Sequence, residues 1–127
     1  MIVGVALMLS AQAAPALPPD DAAAEAEIVV IAQRLETWRG KFAIKMGVVT
    51  CNTTRSSGDR AIDDIGCRAL TTCIKPIATR LDAAAGAKAP KALRRAQMDA
   101  LVQAQIPCFE QTRRDGIAAL ADERAGQ

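Results

Sequence analysis

With 127 residues, half of them apolar and 24% charged, the chain has the length of one domain and too much hydrophobicity for a disordered segment. A formal charge of +2 gives no drive toward nucleic acid or a membrane surface. The absence of histidine removes Ser-His-Asp and Cys-His catalysis and the commonest zinc ligand.

The chain opens with an uncharged apolar run over residues 2–9, followed by Ala11-Gln12-Ala13, the small-x-small pattern that signal peptidase reads. The run is far shorter than the roughly 20 residues a bilayer requires. No Lys or Arg precedes it, so either the true start lies upstream or the signal is weak. Residues 1–13 are therefore expected to be a signal peptide. The Ala/Pro/Asp-rich stretch at 14–26 reads as a flexible leader, because its prolines disfavour helix in the residues before them. Asp20, Asp21, Glu25 and Glu27 make this first mature segment acidic.

Glu27-Ile-Val-Val-Ile-Ala-Gln-Arg34 supports two readings. The β-branched run Ile28 to Ile31 favours a strand. The spacing of Val30, Ile31, Leu35 and Trp38 fits a helical stripe. Residues 40–54 read as a hairpin: Lys41 and Lys45 alternate with Phe42 and Ile44, and Met46-Gly47 supplies the turn, with Gly47 taking a positive φ. Six basic residues against two acidic ones over 34–60 make a weak basic patch.

Asp59 is the expected N-cap of a helix whose first turns carry Asp63 and Asp64. Its apolar stripe, Ile62, Ile65, Ala69, Cys73, Ile77 and Leu81, is the clearest in the chain. Pro76 should kink it and Gly86 should stop it. Pro90 opens a further helix with Leu93, Ala96, Ala100, Leu101 and Ala104 on one face, ending or bending near Gln105 before Pro107. A last helix is expected from Phe109 to about Asp122, weakened by Gly116.

The four cysteines, Cys51, Cys67, Cys73 and Cys108, are an even set in a short chain with an export signal, the setting of a disulfide framework. No C-x-x-C is present, which counts against a structural zinc site and a thioredoxin-like redox motif. Cys73 falls in the middle of its helical stripe and Cys67 on the flank, near the hairpin that carries Cys51. The expected pairs are therefore Cys51–Cys67 and Cys73–Cys108. Such staples suit a core poor in aromatics, with only Trp38, Phe42 and Phe109 and no tyrosine.

Chemistry is thinly supplied. Glu36, Asp63, Asp64 and Asp99 are the carboxylates available for acid and base work of the glycosidase kind, although Asp63 and Asp64 are explained as first-turn helix charges. No glycine-rich phosphate loop is present, and the basic region lacks stacking aromatics apart from Phe42 and Trp38. No catalytic residue, cofactor or metal is expected. Trp38, the only tryptophan, is either a plug between hairpin and helices or, with Arg39 and Lys41, a contact surface for a protein partner.

The segment 27–34 resembles the TonB box, the short stretch near the mature N-terminus of TonB-dependent outer-membrane receptors. The resemblance implies pairing with TonB as an added strand. The family's plug domain does not follow, and the chain is too short for a barrel, so the resemblance is confined to the pairing segment. Residues 35–127 resemble small exported cysteine-containing proteins of Gram-negative bacteria with no known activity.

The expectation is a small α+β domain over 27–127, a β-hairpin on about three helices held by two disulfides. It would be periplasmic or secreted, without a membrane span or nucleic-acid partner, and non-catalytic, acting by binding another envelope protein. The alternatives are a structural envelope-associated protein without a specific ligand, and a carboxylate-dependent enzyme.

Overall fold

The computed structural model describes residues 19–127; the signal peptide expected at 1–13 and the first part of the leader lie outside the described residues. From Pro19 the chain is helical, α1 spanning Pro19–Thr37. The leader expected over 14–26 is therefore corrected for residues 19–26. Ala22, Ala23, Ala24 and Ala26 are the strongest helix formers and outweigh the extended bias of the prolines before them. The helical reading of 27–34 also wins. Ile31, Leu35 and Trp38, spaced i, i+4 and i+7, are buried, while Ile28, Val29 and Val30 stay exposed.

After α1 come β1 (Arg39–Lys45) and β2 (Val48–Arg55), an antiparallel pair whose register runs from Gly40 opposite Thr53 through Phe42 opposite Cys51 to Lys45 opposite Val48. A register shift between Arg39 and Gly40 bends the start of β1. Met46 and Gly47 make the turn, both with positive φ (51° and 77°), the pattern of a two-residue primed hairpin.

Next, α2 (Arg60–Ile74) runs through a short 3-10 turn (Lys75–Ile77) into α3 (Ala78–Ala85). The three form one kinked rod. The kink falls at Pro76, which has no N–H for the helical ladder. Asp59 caps the rod, its carboxylate accepting from the Ala61 amide at 3.0 Å. α4 (Lys91–Gln103) and α5 (Ile106–Ala125) complete the chain. α5 starts before the expected Phe109 because Pro107 sits in its first turn, where a missing N–H costs nothing.

The rod divides the interior in two. On one side Ile31, Leu35, Trp38, Ile62, Ile65 and Ala121 bring α1, the start of α2 and α5 together. Around the kink Ile74, Ile77 and Leu81 carry Phe42, Ile44 and Val49 of the hairpin and Met98, Leu101 and Val102 of α4. The disulfides bind each half: Cys51–Cys67 ties β2 to α2, and Cys73–Cys108 ties the end of α2 to α5. The protein is thus a small α+β domain stapled by two disulfides. Among the described residues no helix is long and apolar enough to cross a membrane.

Candidate functional site

The residues expected to form a contact surface are separated by the fold. Trp38 is 4% exposed, and this corrects the reading of Trp38 as a partner contact. Its indole lies against two glycines, Gly40 of β1 and Gly66 of α2; a Cβ on Gly66 would stand 2.6 Å from the ring. The same indole donates from Nε1 to Thr53 Oγ1 at 3.0 Å. The ring is the plug between α1, the hairpin and α2. Arg39 is exposed, but its guanidinium donates to the carbonyls of Glu36 (2.7 Å) and Trp38 (2.8 Å), closing the end of α1. Lys41 stands on the solvent side of β1.

The four carboxylates singled out from the sequence stand on three helices. Asp63 is held by the loop before α2: it accepts from Ser57 N at 2.8 Å, Ser57 Oγ at 2.7 Å and Ser56 Oγ at 2.5 Å. Burial pushes its carboxyl up, and these three hydrogen bonds pull it further down, leaving it below the ordinary aspartate range. Asp64 is exposed on α2. Glu36 borders a shallow cleft between α1 and α5, beside Arg113 and Arg114. Asp99 borders a different cavity, between the hairpin, α3 and α4. Among the described residues no group of three or more acidic or cysteine side chains is placed to hold a metal ion.

That cavity arises from how α4 is carried. α4 packs chiefly on α3 and has no fully buried residue. Its inner side therefore rests on the second core cluster without closing against the hairpin. The space left is a groove of about 520 Å³ between β1, α3 and α4. β1 lends Phe42 and Ile44, whose alternation with Lys41, Ala43 and Lys45 turns them inward. α3 lends Leu81, Asp82 and Ala85, and α4 lends Met98, Asp99 and Val102. The walls are aliphatic, aromatic and thioether surface, and the charged groups that line it are two carboxylates, both solvent-exposed. Such a site can take an apolar side chain or short apolar segment that carries a cation beside it.

Part of this site was readable beforehand. The inward pair Phe42 and Ile44 and the stripe through Ile77 and Leu81 follow from periodicity. The open space does not, because it depends on where α4 stops short of the hairpin. No family model matches the chain, and no curated protein or solved structure is significantly similar to it.

Proposed function

We propose that this protein is exported and works without catalysis, by binding another protein of the cell envelope through the groove between the hairpin and α3–α4. The observation that carries the reading is the groove. It is concave, lined by Phe42, Ile44, Leu81, Met98 and Val102, and bordered by the carboxylates of Asp82 and Asp99. Apolar pockets with a few polar groups at their edge are where anchor side chains of partners settle.

Export is supported by the small-x-small pattern after the apolar run at 2–9 and by the two disulfides, which persist in oxidising compartments. The partner segment would present an apolar anchor next to Lys or Arg. The TonB-box-like segment 27–34 is not used in this reading. It is helical, and pairing it as a strand would unwind α1 and uncover Ile31 and Leu35.

The test expresses the chain with its own N-terminus in a Gram-negative host and carries a photo-crosslinking residue at Val102, with a control at exposed Ala118. Intact mass should show loss of residues 1–13 and no thiol alkylation before reduction. Val102, and not Ala118, should give an adduct with an envelope protein. An uncleaved chain with free thiols, or identical adducts from both positions, would sink the proposal.

A further inference from the structure

The groove has a complement elsewhere in the same chain, at the tip of the hairpin. Met46 is fully exposed and has φ of 51°, and among the described residues it is the only non-glycine with a positive φ. Asn or Gly takes the first position of such a turn without strain. Methionine there carries the steric cost of the left-handed region and holds a large apolar side chain in water. Among the described residues nothing covers it. Val48, two residues on, is 61% exposed. Lys45, immediately before, is exposed and cationic. An outlier of this kind at a tip, combining strain with apolar exposure, points to contact made outside the monomer.

The tip and the groove match in both polarity and charge. Met46 and Val48 offer apolar anchors, and the groove offers apolar walls. Lys45 offers a cation, and the groove carries Asp82 and Asp99, neither of which joins an ion pair among the described residues. The hairpin cannot satisfy its own groove. Met46 lies four residues beyond Phe42 along a paired strand, about 13 Å away, and the ladder through Ile44 opposite Val49 and Lys45 opposite Val48 keeps the tip pointing outward.

We propose that the groove takes the hairpin tip of a second copy of this chain, with Met46 and Val48 seated between β1, α3 and α4 and Lys45 facing Asp82 and Asp99. Lys45 and Val48 stand on the face of the hairpin opposite Phe42 and Ile44, so tip and groove are different surfaces of each molecule and the contact joins the tip of one copy to the groove of the next. At about 520 Å³ the groove has the size of a site for a drug-sized ligand, which is room for these two side chains. This goes beyond the envelope-partner reading, because it concerns the purified protein alone; self-association then competes with that partner for one groove.

The experiment is sedimentation velocity on the oxidised, purified protein from micromolar to millimolar concentration. Wild type should shift from monomer to dimer and larger species as concentration rises. M46N creates an Asn-Gly turn that favours the fold, and it should weaken association by about tenfold or more. K45E should weaken it too, and K45E combined with D99K should restore it. The proposal is overturned by a wild-type monomer throughout the range, by association that M46N or K45E leaves unchanged, or by uptake of a fatty-acid probe into the groove of a protein that stays monomeric.

Discussion

Trp38 reaches from the end of α1 to the far strand of the hairpin, donating from Nε1 to Thr53 Oγ1 at 3.0 Å. Thr53 Oγ1 in turn lies 3.9 Å from Cys67 Sγ, so ring, hairpin and first disulfide meet at one point. Trp38→Phe keeps most of the ring and deletes the donor, and should cost about 1 kcal/mol. Trp38→Ala empties the space between Gly40 and Gly66 and should cost about 3–5 kcal/mol. Urea unfolding followed by circular dichroism measures both; equal costs would show that the hydrogen bond, and not the plug, is what matters.

Two helix-interior glycines should resist the usual gain from alanine. Helix propensity alone predicts that Gly→Ala stabilises an interior position by about 1 kcal/mol. A Cβ at Gly66 would lie 2.6 Å from the Trp38 ring, and one at Gly116 would lie 2.9 Å from Ile65 Cγ2. Gly66→Ala meets a rigid ring wedged on both sides and should destabilise by about 1–3 kcal/mol. It should also shift Trp38 emission to the red, a clean signal because Trp38 is the only tryptophan. Gly116→Ala meets a single aliphatic side chain and should come out near neutral. A gain near the full propensity value at either site would show that the close approach is not a constraint.

Acid should destabilise the fold through Asp59. Burial pushes its carboxyl up, and the hydrogen bond and charge of Arg124, with the amides of Ile62 and Ala61, outweigh this and hold it below its ordinary value. Arg124 Nη2 stands 2.6 Å from Asp59 Oδ2, which links the end of α5 to the start of α2. A carboxyl depressed in the folded state contributes stability above its unfolded pKa and loses that contribution as pH falls through the folded one. Stability should therefore decline below about pH 4. Arg124→Gln should lower stability at neutral pH by about 1 kcal/mol and flatten the acid limb. Melting temperature against pH for both proteins checks it; parallel curves would show that the pair contributes nothing to the acid limb.

The two disulfides should differ in worth. They close loops with sequence separations of 16 and 35 residues. In the chain-entropy model Cys51→Ala with Cys67→Ala should cost about 3 kcal/mol, and Cys73→Ala with Cys108→Ala about 4 kcal/mol. Cys73 is also fully buried beside Thr112, so the second pair removes core volume as well. Denaturant midpoints of the two double variants rank them, and the opposite order would show that loop entropy does not govern.

Much of the frame is local and so could be read in advance. The pairing Cys51–Cys67 and Cys73–Cys108 followed from the positions of Cys67 and Cys73 on α2, one on the flank of its stripe near the hairpin and one in the middle. The kink at Pro76, the cap at Asp59 and the hairpin turn at Met46-Gly47 followed from backbone chemistry that acts within a few residues. Where local signals conflicted, they did not decide. The β-branched run at 28–31 argued for a strand, and the helix was settled by burial of Ile31 and Leu35 against α2 and α5.

By itself the sequence determined the α+β class, the two staples and the inward faces of β1 and α2, because periodicity and covalent geometry are properties of neighbouring residues. Only the tertiary structure decided that Trp38 is a plug, since that required Gly40 and Gly66, 26 positions apart, to meet one ring. Only it decided that α4 rests on α3 and leaves a groove before the hairpin, and that Met46 stands fully exposed at the tip. Each of these depends on close approach between distant segments, which packing sets and no single stretch of chain encodes.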